Sequence, residues 1–123
     1  MTAPTFWPVR LSATAEADFE GIVTWTAQRF GTDQALAYAE ALSEALAALT
    51  AGPVVIGVKA RDDIGPGLHT LHVARLGRRG RHFILFRVDS SEDMPCVDVL
   101  RLLHDAMDLA QHLPTGETDE VNG

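Results

Sequence analysis

The sequence predicts an α+β sandwich of two layers, an antiparallel β-sheet with a helical hairpin packed on one face. Three observations predict it. Two segments with a 3.6-residue apolar period adjoin at Gly31, two strand-like runs flank GRRG at residues 77–80, and a third apolar run, PCVDVLRLL, follows at 95–103. The resulting order is β-α-α-β-β-β-α, and a sheet covered by a helix pair is the economical way to bury both sets of apolar faces.

Residues 6–11 read as the first strand, with Phe6 and Trp7 leading through Pro8 into VRL. Ser12 offers an N-cap hydroxyl, and Glu16, Asp18 and Glu20 suit the positive end of a helix. Ala15, Phe19, Ile22, Val23, Thr26 and Phe30 share one face, so 13–30 reads as an amphipathic helix closed by a left-handed Gly31. Thr32 or Asp33 is the expected cap of the next helix. Its apolar seam is narrow, Ala35, Ala39, Leu42, Leu46 and Leu49, and small alanines permit close approach to the first helix. Gly52-Pro53 ends it.

Residues 54–67 carry no period and read as a loop punctuated by Gly57, Gly65, Pro66 and Gly67. LHTLHVARL (68–76) and RHFILFRV (81–88) form the expected hairpin. In the last strand, alternation places Val97, Val99, Arg101 and Leu103 on one face, and Cys96, Asp98, Leu100 and Leu102 on the other. A short helix is expected after His104, capped by Asp105. The polar, acidic stretch 114–123 reads as a disordered tail on a single domain of residues 1–113.

The chain has 123 residues and a formal net charge of −7, which argues against a protein that coats nucleic acid. The charge is unevenly placed. Residues 59–87 hold seven bases against two acids, while residues 88–123 hold one base against nine acids. A lone basic strip on an acidic protein suits an acidic partner. The single cysteine, Cys96, excludes an internal disulfide and fits a reducing compartment. No apolar run approaches the roughly 20 residues that span a membrane, and the N-terminus lacks the pattern of a signal peptide.

His104, Asp108 and His112 recur every fourth residue. On a helix the outer pair would stand about 12 Å apart along the axis, too far to share one ion, so no metal site is expected and no cofactor is implied. The arginines and glycines of GRRGR (77–81) suit either a phosphate-gripping tip or a solubilising turn. No nucleophile elbow or phosphate-binding loop is present.

The succession VRLSATAEADFEGIVTWTAQRFG, GPGLHTLHVARL, RHFILFRV and VDVLRLLHDAMDLAQHL resembles the ParE branch of the RelE/ParE toxins of bacterial type II toxin–antitoxin systems, over roughly residues 9–113. The resemblance implies a RelE/ParE-like fold and a small cytoplasmic toxin that arrests growth, held inactive in a hetero-oligomer by a cognate ParD-like antitoxin. In the ParE branch the target is DNA gyrase; in the RelE branch the toxin cuts mRNA on the ribosome. For a ribonuclease, the implied catalytic residues are Arg87, Arg101 and His104. However, no tyrosine occurs in the C-terminal half, and Phe83, Ile84 and Leu85 stand where nucleolytic relatives tend to place a base. A gyrase poison, without catalysis and without sequence-specific nucleic-acid binding of its own, is therefore the first expectation. Its target-binding candidates are Arg75, Arg78, Arg79, Arg81, His104 and Asp108. Trp25, Phe30 and Tyr38 are the candidate antitoxin anchors, because aromatics concentrate binding energy; the competing role for all three is core packing. Gly57-Val58 departs from the Gly-Arg step that many members carry, which leaves open a third class, an antitoxin-binding remnant without toxicity.

Overall fold

In the computed structural model, residues 6–52, 55, 57–76, 80–89 and 95–105 are described. The chain runs β1 (Val9–Leu11), α1 (Ala13–Phe30), α2 (Thr32–Ala48), β2 (Lys59–Ala60), β3 (Leu68–His72), β4 (His82–Asp89) and β5 (Cys96–His104). Short 3-10 turns follow α2 at Leu49–Ala51 and β3 at Val73–Leu76. The helical pair and the sheet form the two expected layers.

Local chemistry sets the helices. The Ser12 hydroxyl accepts from the Ala15 N–H at 2.9 Å, capping α1, and also donates to the Leu100 carbonyl at 3.0 Å. One side chain thus starts the helix and ties it to β5. Gly31 closes α1 at φ 97° and itself serves as the N-cap of α2, so neither Thr32 nor Asp33 caps that helix. The two helices pass into each other without a loop residue to spare.

The sheet has five strands in the order β1-β5-β4-β3-β2. Four of them pair antiparallel, but β1 lies parallel to β5, with Val9 beside Val97 and Leu11 beside Val99. The sheet is therefore mixed rather than antiparallel throughout. No tight turn links β1 to its neighbour; the helical hairpin and strands β2 to β4 intervene, so hairpin geometry does not dictate their direction. The stretch read as a loop contributes β2, a two-residue edge strand paired with Thr70 and His69. Conversely, β3 ends at His72, because Val73–Leu76 winds into a 3-10 turn.

The core lies between the layers. Leu42 and Ala45 of α2 meet Leu71, Ile84, Phe86, Val97, Val99 and Leu102 of the sheet, with Leu49 sealing the end. A smaller apolar cluster, Leu68, Leu85 and Leu103 with Ile64, Phe83 and Leu100 against it, covers the opposite face. The expected alternation of β5 fails midway. Leu85 faces Arg101 but Phe86 faces Val99, so Leu100 is an extra residue in a β-bulge. The bulge resets the period: Leu102, not Leu103, joins Val97 and Val99 in the main core. The closing helix expected after residue 105, with Asp108 and His112, lies outside the described residues.

Candidate functional site

Antiparallel pairing brings alternate strand ends to one edge of the sheet. His72 ends β3, His82 begins β4 and His104 ends β5. All three histidines therefore gather at a single end, where His82 and His104 are direct cross-strand partners with ring centroids 5.3 Å apart.

Above them stand the residues of the helical hairpin's tip. Trp25 and Phe30 of α1 meet edge to face at 5.9 Å, and the Arg29 guanidinium lies 5.2 Å from the Trp25 ring centre. Both aromatics face solvent, at 52 % and 62 % exposure. The apolar period of α1 includes Phe30, yet its side chain is exposed and lines the groove. Tyr38 of α2 points inward. Its hydroxyl accepts from the Arg81 backbone N–H at 3.0 Å and lies 2.7 Å from His82 Nδ1. A side chain at Gly80 would begin 2.9 Å from Val73 and 3.3 Å from that hydroxyl, so only glycine fits beside them.

Trp25, Thr26, Phe30, Gln34, Tyr38, Gly80, Arg81, His82 and His104 enclose a groove of about 540 Å³. A second hollow of about 290 Å³ continues it between α1 and the free end of β5, sharing Trp25, His82 and His104. In that inner half, the Arg101 guanidinium makes two hydrogen bonds to Asp18, at 2.8 and 3.1 Å, and Asp18 also accepts from the Leu102 N–H at 2.9 Å.

Behind the groove, Asp105 is a clasp. It accepts from His72 Nε2 at 3.0 Å, lies 3.6 Å from Arg81 Nε, and its own N–H donates to the Arg81 carbonyl at 2.8 Å. His72 Nδ1 accepts from the Ala74 N–H, which fixes the proton on Nε2. The His72 hydrogen bond holds the Asp105 carboxyl below its usual range. Burial, reinforced by the facing His104, pushes His82 down to about 4, and burial raises the Tyr38 phenol. Near neutral pH His82 is thus an uncharged imidazole.

The sequence candidates distribute unevenly. Trp25, Phe30, Tyr38, Arg81 and His104 converge on the groove. Arg101 lines its inner half and pairs with Asp18 at 2.8 Å, while Asp98 pairs with Arg10 at 2.8 Å. Arg87 is exposed five residues along β4 from His82, about 16 Å from the histidine end by strand rise. Arg75 falls in the 3-10 turn, and Arg78, Arg79 and Asp108 lie outside the described residues. Sequence reasoning missed His72, His82 and the clasp of Asp105. The signal was there: LHTLH, RHF and LLH put a histidine at the same end of three consecutive antiparallel strands.

A helical hairpin across one face of a small mixed sheet, with an exposed aromatic groove at its tip, defines the class as a compact two-layer α+β protein. The chain belongs to the family described as the ParE toxin of type II toxin–antitoxin system, parDE, whose model matches residues 9–109. Toxin ParE1 of Mycobacterium tuberculosis strain H37Rv is 34 % identical over 103 residues, covering 84 % of this chain and 94 % of that protein. Toxin ParE1 of Caulobacter vibrioides is 31 % identical over 109 residues, covering 86 % and 97 %. A solved structure, the chromosomal ParDE TA system from P. aeruginosa, shares the fold with a TM-score of 0.62 at 22 % identity, over 82 % of this chain and 98 % of that one. Among the described residues, no helix is long and apolar enough to cross a membrane.

Proposed function

We propose that this chain is a cytoplasmic poison of DNA gyrase, acting by docking rather than catalysis, and that a ParD-like antitoxin neutralises it by covering the aromatic groove. Family membership over residues 9–109 supports the toxin role. The observation that carries the non-catalytic reading is the scatter of the nuclease candidates. Phosphodiester cleavage needs a base, an acid and phosphate-holding cations within a few ångströms of one another. Arg87 and His104 stand at opposite ends of β4 and β5, and the Arg101 guanidinium is held by Asp18.

Arg81, with Arg75, Arg78 and Arg79 close in sequence, is then the cationic strip offered to the target, together with His104 and Asp108. Trp25, Phe30 and Tyr38 are the antitoxin's anchors, within a single toxin domain of residues 1–113. The test is a plasmid assay with gyrase, ATP and supercoiled DNA, quenched with detergent and protease. Accumulated linear DNA is the expected result. Intact plasmid together with cleaved transcripts in a ribosome assay would replace this reading with the endoribonuclease. Inactivity in both, with antitoxin binding retained, would leave the remnant.

A further inference from the structure

The donors and acceptors lining the groove are not balanced. The Tyr38 oxygen already accepts from the Arg81 N–H, so its single proton is free to go to His82 Nδ1. With His82 uncharged, its remaining proton sits on Nε2. That nitrogen belongs to a ring that lines both halves of the groove. Arg81 adds a guanidinium that is 72 % exposed, so its contact with Asp105 leaves most of its donors in water. Gln34 lies on the same wall, as does the 40 % exposed His104, whose Nδ1 stands 3.6 Å from Asp105 Oδ1, so the unmet donors are chiefly those of Arg81 and His82. No carboxylate lines the outer half of the groove among the described residues. Asp18 lines the inner half, but it faces Arg101 and the Leu102 N–H. The aromatic wall will take an apolar side chain, and the donor-rich floor beside it will be left with unmet hydrogen bonds unless the occupant brings acceptors.

We propose that the groove reads a carboxylate: the segment of the antitoxin that seats on Trp25 and Phe30 carries an acidic side chain that reaches Arg81 and the adjoining His82–His104 pair. The inference rests on the reading above that an antitoxin covers this groove. It adds the chemistry by which the seat selects its partner. Trp25 and Phe30 supply affinity through buried area, whereas Arg81 and the histidines reject a segment with an apolar or basic residue at that position.

The experiment is calorimetric titration of the full-length toxin with the antitoxin co-purified with it and then separated from it. Wild type, Trp25→Ala, Phe30→Ala, Arg81→Gln and His104→Ala are compared, each first shown folded by circular dichroism. Asp and Glu residues of the antitoxin are replaced one at a time by their amides. Arg81→Gln is expected to weaken binding about tenfold, as for a close interfacial charge pair, and to flatten the salt dependence. A single acid-to-amide change in the antitoxin should weaken binding similarly and add nothing in combination with Arg81→Gln. Loss of affinity in Trp25→Ala with Arg81→Gln and every amide variant unchanged would overturn the carboxylate and leave the seat. Tight binding unaffected by Trp25→Ala and Phe30→Ala would overturn the seat itself. A free toxin that elutes as a dimer, dispersed by Arg81→Gln, would assign the groove to a second copy of the chain and overturn the proposal.

Discussion

The Tyr38 hydroxyl adds a polar tie between α2 and the start of β4: it lies 2.7 Å from His82 Nδ1 and accepts the Arg81 N–H at 3.0 Å. Tyr38→Phe keeps the ring and deletes the oxygen. A half-buried imidazole nitrogen and a backbone N–H then lose their partner at once. The expected loss of folding stability is about 1–2 kcal/mol, read from urea unfolding midpoints. An unchanged midpoint would show that water replaces the phenol there.

The same imidazole makes the fold sensitive to acid. His82 titrates at about 4 in the folded protein because burial, and next the facing His104, oppose its charge. The unfolded chain takes up that proton near 6.5. Between those values the unfolded state binds more protons, so stability rises with pH across this window and is lost on acidification through it. Asp105 does not mimic the effect, since its carboxyl is held below the ordinary 3.8 and titrates lower. His82→Gln should flatten the dependence between 6.5 and about 4 in unfolding curves taken at steps of pH. A slope equal to wild type would place the sensitivity in another group.

How much of this was legible follows from the range of each interaction. Local signals gave α1 to the residue, because Ser12 and Gly31 act on their own neighbours. They also gave the meander of β3, β4 and β5 within one residue at most ends, the early stop of β3 excepted. What escaped were long-range choices. The parallel union of β1 with β5 and the bulge at Leu100 each depend on a partner many residues away. The groove was half legible: its aromatics stood out by size, whereas His82 looked like an ordinary strand residue until His104 was placed opposite it.

Asp18 and Arg101 were both visible as charges, yet nothing in the sequence paired them across 83 positions. Their side chains are only 16 % and 22 % exposed. Asp18→Ala therefore takes two hydrogen bonds from a largely desolvated guanidinium and removes the acceptor of the Leu102 N–H. The expected cost is about 3 kcal/mol. Replacing the pair together, Asp18→Leu with Arg101→Met, should recover most of it, because the charges also carried a desolvation penalty. Unfolding free energies of the two singles and the double form the cycle. Additivity of the singles would mean that the pair contributes no coupling.

Two glycines separate the cost of a backbone conformation from the cost of a clash. Gly31 and Gly52 both sit at positive φ, 97° and 90°. A Cβ at Gly31 meets nothing within 4 Å, so Gly31→Ala bears only the strain of an L residue in that region, about 1–2 kcal/mol. A Cβ at Gly52 would begin 2.7 Å from the indole nitrogen of Trp7, whose backbone N–H donates to the Thr50 carbonyl at 2.8 Å. Trp7 packs against the main core, so displacing the indole disturbs that packing. Gly52→Ala should therefore lower the thermal midpoint clearly more than Gly31→Ala, and in a Trp25→Phe background should shift the emission of Trp7, which Gly31→Ala leaves alone. Equal midpoints for the two variants would mean that Trp7 moves freely and does not anchor the N-terminal strand.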